Sequence, residues 1–217
     1  MDTRFKYPRT MHLPWSDGVT SDDRTLSDCD SFAGRMVVVT EKMDGENFTM
    51  YRDGFHARSI DNPCHIAYRS KVAAMHSRIA CDIPPDMRVC GELCYATHSI
   101  RYTELPSYFL GFSVWSGSIC LNWDDTIEWI SLLGLTPVPV LWTGVFDQAV
   151  IRDIGKSVVA NGSEGYVVRV ADSFERGDFP KCVGKYVRAN HVTTDKHWSL
   201  GGISYNRLKK DVQNDKT

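Results

Sequence analysis

A chain of 217 residues, 42% of them hydrophobic and 24% charged, has room for one sizeable core and contains no apolar run near the ~20 residues of a membrane span. A net charge of −2 argues against a protein held on nucleic acid by bulk electrostatics, and seven scattered cysteines do not make a disulfide framework. The expectation is a single domain over residues 1–217, monomeric, without a membrane partner, and at home in a reducing cytoplasm, since MDTRFKYPRTMHLPW lacks the apolar stretch of a secretory leader.

In chain order, residues 1–34 are polar and turn-rich and read as an irregular lead-in. Arg35–Met43 reads as a strand; Phe48–Tyr51 and Phe55–Arg58 flank Asp53-Gly54, a hairpin signal. Between His65 and Ala80 the apolar positions 66, 72, 73, 75 and 79 recur at helical spacing. Arg88–Tyr95, Tyr108–Trp115 and Ile119–Trp123 read as strands. Asp124–Leu133 reads as a helix with an acidic first turn and Gly134 as its stop. Thr136–Trp142 returns to strand and Asp147–Ala160 to helix, with Gly155 a weak point. The segments NGSEGYVVRV and KCVGKYVR are strands again. Strands dominate without the strict alternation of a parallel sheet, which predicts an α+β fold of antiparallel sheets with flanking helices. Residues 190–217 form a short basic tail: from Arg176 to Lys210, eight Lys or Arg face two Asp, enough to track a phosphate backbone or simply to be a solvated end.

The strand that ends VVVTEK is followed at once by MDGEN. A lysine acts as a nucleophile only when neutral, so Lys42 at an apolar strand end invites a pKa lowered by burial or by a nearby cation. If the strand continues, Asp44 points the same way about 6.6 Å further along, and Gly45 lets the backbone approach a ligand. A surface ion pair before a turn would look the same. Glu92 alternates with Cys90 and Cys94 and so faces a site with them, while the two cysteines lack the partners of a zinc centre. Phe112 could lay its ring on a base, although Phe109, Tyr108 and Trp115 are rivals. Asp44, Glu92 and Glu164 form an oxygen-rich set suited to hydrated Mg²⁺ or Mn²⁺.

EKMDGEN resembles motif I of the covalent nucleotidyltransferases, the superfamily of polynucleotide ligases and mRNA capping enzymes. Further matches follow in the superfamily's order: HARS at His56–Ser59, VCGELCY around Glu92, YFLGFSVW around Phe112, SEGYVVR around Glu164 and VGKYVR around Lys185. The resemblance implies the ligase and capping-enzyme nucleotidyltransferase domain, with Lys42 linked to a nucleoside monophosphate. It implies that Glu41, Lys42, Asn47, Arg58, Glu92, Phe112, Glu164 and Lys185 bind the nucleotide, that Lys42, Lys185 and Glu92 are catalytic, and that Asp44, Glu92 and Glu164 hold metal.

Asn47, the fifth residue after Lys42, stands where DNA-ligase and capping branches usually carry arginine and where RNA ligases resembling the second phage T4 enzyme carry asparagine. Only 32 residues follow Lys185, so no appended OB-fold domain is expected. The resemblance therefore implies an ATP-dependent RNA ligase that joins 5′-phosphate and 3′-hydroxyl ends through lysyl-AMP and RNA-adenylate, using Mg²⁺ or Mn²⁺, with a separate enzyme to heal ends. A DNA ligase, a capping guanylyltransferase or an inactive binding module of the same fold are the rivals. One motif departs from the pattern: Val183 replaces the first of two lysines usual in motif V. Lys181 would lie on the same strand face as Lys185, about 13 Å away, which leaves Lys185, helped by Arg58 or Arg188, to hold the α-phosphate. RTMHL at Arg9–Leu13 and HVTTDKHW at His191–Trp198 are further candidates for substrate contact.

Overall fold

A computed structural model describes residues 4–60, 69–189 and 203–209. The strands, in chain order, are β1 (Met11–His12), β2 (Met36–Lys42), β3 (Glu46–Tyr51), β4 (Gly54–Ala57), β5 (Met87–Leu93), β6 (Phe109–Ser116), β7 (Ile119–Cys120), β8 (Thr136–Pro137), β9 (Val140–Val145), β10 (Gly165–Val170), β11 (Phe174–Glu175) and β12 (Val183–Val187). The helices are α1 (Arg69–His76), α2 (Trp123–Leu132), α3 (Gln148–Ala160) and the single turn α4 (Phe179–Cys182). One sheet runs β1-β12-β10-β2-β9 and the other β11-β7-β6-β5-β3-β4, with β8 added beside β6. All pairs are antiparallel except β1 with β12 and β8 with β6. This is the α+β fold of antiparallel sheets that the strand pattern predicts. No helix among the described residues is long and apolar enough to cross a membrane.

Alternation decides which side of the first sheet is wet. Val37, Val39, Tyr166 and Val168 are fully buried and share a core with Ile151 and Val158 of α3. Gly155 is what lets α3 sit down there, because a Cβ at that position would lie 3.1 Å from the Tyr166 ring. The alternate residues Thr40, Lys42, Val167, Arg169 and Lys185 face the other way, into a cleft closed by the second sheet. That second sheet is backed by its own core, in which Phe48, Met50, Val89 and Phe109 meet Val72 of α1 and Ile130 of α2.

Several sequence expectations change. The strand over Ile119–Trp123 stops at Cys120, because Asn122 caps α2 by accepting the Asp125 N–H (2.8 Å) and Trp123 is already helical. Thr136–Trp142 splits into β8 and β9, which serve different sheets: Pro137 and Pro139 bring no N–H to a ladder. Lys181 lies on α4, which carries Pro180 in its first turn, so it does not share a strand face with Lys185 and instead pairs with Asp178 at 3.1 Å. The lead-in is less irregular than its composition implies, since β1 docks in parallel on β12 and both Leu13 and Phe32 are fully buried. The predicted 65–80 helix begins at Arg69 among the described residues and ends at His76; positions 61–68 and the segment His191–Trp198 lie outside those residues.

Candidate nucleotidyl-transfer site

Between the sheets is a cavity of about 480 Å³. Its walls include Glu41, Lys42, Asn47, Arg58, Glu92, Phe112 and Lys185, so seven of the candidate residues meet in one place. The register explains how. Lys42, the last residue of β2, stands opposite Gly165, the first of β10, which brings Glu164 alongside it. The Lys42 Nζ donates to Glu164 Oε2 at 2.5 Å. Thr40 pairs with Val167 and Val167 with Lys185, so the two lysines share the wet face of one sheet. From the facing sheet, Asn47 pairs with Glu92 across β3 and β5. Phe112 is set apart by a bulge: Cys90 pairs with Ser113 and Gly91 with Gly111, leaving Phe112 without a partner and aimed into the cavity. Its rivals Phe109 and Trp115 are fully buried core, and Tyr108 stacks edge-on against Tyr95.

Asp44 departs from expectation. The β2 strand does not continue past Lys42; the chain turns through Met43–Gly45, and Asp44 is buried with its Oδ2 accepting the N–H groups of Ser99 (2.7 Å) and Ile100 (2.6 Å). Its own N–H donates to the Tyr102 hydroxyl at 2.9 Å. The carboxylate thus anchors the 99–102 loop and does not line the cavity. Asp44→Ala would leave two amide donors unsatisfied and should lower unfolding free energy by about 2–4 kcal/mol, measurable by urea titration. Gly45 has a different reason to be glycine, since a Cβ there would lie 2.5 Å from the Leu93 carbonyl oxygen.

The charges balance in an unexpected way. Burial alone would lower the Lys42 pKa, but Glu164 and then Glu92 outweigh it and the net shift is upward. The lysine rests as an ammonium, not as the free amine anticipated from its strand. Burial pushes Glu92 up to about 8 against the pull of Lys42, with Glu164 and Asp44 adding repulsion. A carboxyl raised in the fold stabilises below its unfolded value, and that contribution is lost as pH rises through about 8. Unfolding free energy should therefore fall between pH ~5 and ~8 in the wild type and fall less in Glu92→Gln, as thermal melts across that range would reveal.

No group of three His, Cys, Asp or Glu among the described residues is arranged to hold a metal ion, and Asp44 is committed to backbone. Glu92 and Glu164 remain as the carboxylates nearest Lys42. Such a pair fits a hydrated divalent ion that takes one or two protein carboxylates and completes its shell with water and phosphate.

Other walls come from places the sequence singled out weakly or not at all. Tyr7, Pro8, Arg9, Thr10, Asp22 and Asp23 of the lead-in line the cavity, and the Tyr7 ring meets Phe112 edge-on at 5.3 Å. The RTMHL segment was the only sign of this, because turns and a two-residue strand carry no periodicity. Asp23 Oδ1 accepts from Lys185 Nζ at 3.3 Å. Arg169 also reaches the cavity, but its guanidinium is spent on the carbonyls of Val170, Phe112 and Leu121. Arg188 donates to the Ser163 carbonyl (3.1 Å) and does not line the cavity, while Ser163 donates to Glu41 Oε1 (2.7 Å).

A sequence model of the RNA ligase family matches residues 35–187. The fold resembles solved structures described as an archaeal ATP-dependent RNA ligase, form 2 and form 1. The first is 17% identical over 79% of this chain and 48% of that one, with a TM-score of 0.53. The second is 16% identical over 82% of this chain and 48% of that one, with a TM-score of 0.55. This chain spans about half the length of those two. No curated protein matches the sequence at a significant level.

Proposed function

Because the chain belongs to the RNA ligase family, we propose that it is the nucleotidyl-transfer unit of an ATP-dependent RNA ligase that seals a 5′-phosphate to a 3′-hydroxyl. The observation that carries this reading is the placement of Lys42 at a strand end, in one cavity with Glu92, Phe112 and Lys185 and in contact with Glu164. In the first step the Lys42 amine attacks the α-phosphorus of ATP, the bond to the bridging oxygen breaks, and pyrophosphate leaves as lysyl-AMP forms. The AMP then passes to a 5′-phosphate on RNA, and a 3′-hydroxyl displaces it to form the phosphodiester. Each is an in-line transfer in which positioning and charge neutralisation do most of the catalysis.

The residues divide the work by position. Phe112 offers a ring face to the base, and Glu41, held by Ser163, offers a carboxylate to its polar edge. Lys185 supplies positive charge to the α-phosphate, and Arg58, exposed at the rim, is placed to meet phosphate entering from solvent. Glu164 holds Lys42 in place while it is charged; a divalent ion brought with the nucleotide would offset that carboxylate's negative charge and favour the neutral amine. Asn47 lines the cavity with its Oδ1 buried and without a hydrogen-bond partner, an acceptor suited to a hydroxyl donor such as a ribose. Its match to the asparagine of the RNA-ligase branch is what favours RNA over DNA.

Incubation with labelled ATP, GTP and NAD, followed by sealing assays on nicked duplex RNA, single-stranded RNA and nicked DNA, tests the reading. ATP-specific labelling and RNA sealing are expected; labelling only by GTP, or sealing only of DNA, would replace it. Chelation with EDTA should stop labelling and added Mg²⁺ or Mn²⁺ should restore it, read by autoradiography of the protein.

A further inference from the structure

Val183 leaves β12 with one lysine in the cavity, and that lysine is not idle: its Nζ lies 3.3 Å from Asp23 Oδ1. Any phosphate that takes Lys185 strips a partly buried carboxylate of its cation. Asp23 Oδ2 is already held by the N–H (3.2 Å) and hydroxyl (2.9 Å) of Thr20, so the carboxylate cannot swing into solvent without losing those bonds. Something must take over Oδ1, or the exchange leaves a partly buried carboxylate without its cation.

The neighbour that can do so is His12. It is 1% exposed and stands beside Lys185 in the β1–β12 register. Its backbone is fixed on the other side by N–H donation to Arg24 and by acceptance from Leu26. Its Nε2 lies 3.2 Å from Asp23 Oδ1, an ion-pair contact that falls short of a well-formed hydrogen bond. Its Nδ1 is 2.7 Å from Ser16 Oγ, which also accepts the Val187 N–H at 2.9 Å. The Ser16 hydroxyl has a poorer alternative acceptor, the Val187 carbonyl at 3.4 Å. Donation from Ser16 to Nδ1 leaves the proton on Nε2, facing the carboxylate. The charged groups facing this imidazole are Asp23 from the turn after β1, Lys185 from β12 and Lys42 from β2.

Building on the ligase reading, we propose that His12 is a positioning residue that accepts custody of the Asp23 carboxylate when Lys185 turns to the nucleotide phosphate. Lys185 trades one oxygen anion for another, and His12 Nε2–H closes onto Asp23 Oδ1 as it leaves. The lead-in thereby offsets part of the disadvantage of having Val183 where a second lysine would stand. It gives no second cation on the phosphate; it lowers the cost of freeing the one lysine that remains.

The test measures ATP affinity by calorimetry and adduct formation by mass spectrometry in the full chain with Mg²⁺. His12→Ala should weaken ATP binding about tenfold, the cost of one charge-assisted hydrogen bond, while the rate of adduct formation at saturating ATP changes less than about twofold. His12→Gln, whose amide N–H reaches the Nε2 position, should restore affinity, and His12→Asn, which reaches only Nδ1, should not. In an Asp23→Asn background the His12→Ala penalty should disappear, because no carboxylate remains to be held. Equal ATP affinity in wild type and His12→Ala, or a penalty undiminished in Asp23→Asn, would overturn the inference. If His12→Ala does not fold, the Gln and Asn variants decide it by the same criterion. Wild type that binds ATP but forms no adduct would overturn the ligase reading alone, and wild type that binds no ATP would overturn both.

Discussion

Lys42→Arg should form no covalent adduct with ATP, although it preserves a positive charge beside Glu164. An arginine stays protonated in proteins and offers no usable lone pair, so the loss is of the nucleophile and not of the electrostatics. The expected fall is to background, at least about 10⁴-fold, the scale seen when a covalent nucleophile is removed. Lys42→Ala should fall equally and should also destabilise the fold, because Glu164, which is buried, loses the cation that donates to it at 2.5 Å. RNA that already carries a 5′-adenylate separates activation from sealing. Both variants should join it to a 3′-hydroxyl at a measurable rate, since Glu92 and Lys185 remain and the first step is bypassed. Equal loss in both assays would mean that Lys42 serves the fold and not the first bond.

The second large effect is structural and reaches the same site from the backbone. A Cβ on Gly165 would lie 1.9 Å from the Tyr186 carbonyl oxygen and 3.0 Å from the Val187 Cα, both main-chain atoms with little room to give. Gly165 also pairs with Lys42 on its other side, so pushing β10 off β12 would displace Glu164 from Lys42. Gly165→Ala should lose about 3 kcal/mol or more of unfolding free energy, and with it most adduct formation. Gly177→Ala, where nothing lies within 4 Å of the added carbon, is the control and should change stability by less than about 0.5 kcal/mol. If the two variants melt together, the clash is relieved by a shift that the fold tolerates.

Much of the site was legible because it sits on regular strands. Alternation placed Glu92 toward the cleft, and the pairing of Lys42 with Gly165 follows from two strands of readable length. What was not legible depended on breaks in regularity. Asp44 was expected beside Lys42 because strand geometry was extended through a turn; the close pass of Gly45 over Leu93 redirects the chain and sends the carboxylate to Ser99 and Ile100. Lys181 was expected on β12, but a proline-started helical turn holds it on α4. Apart from RTMHL the lead-in reads as irregular, yet Tyr7 and Asp23 join Arg9 in walling the cavity, since a strand of two residues leaves no pattern to detect. The charge state of Lys42 is not legible in the sequence for another reason. Burial can be inferred from an apolar strand, whereas the carboxylates that reverse its effect come from residues 50 and 122 positions away in sequence and are brought near only by the pairing of β3, β5 and β10.

Whether Lys42 becomes bonded to AMP is read from intact-mass and peptide mass spectrometry of the 217-residue chain after incubation with ATP and Mg²⁺. The expected result is a mass increase of one AMP, located on Lys42, formed from ATP and reversed by added pyrophosphate. An AMP found on any other residue, or an adduct that persists in Lys42→Ala, would contradict it.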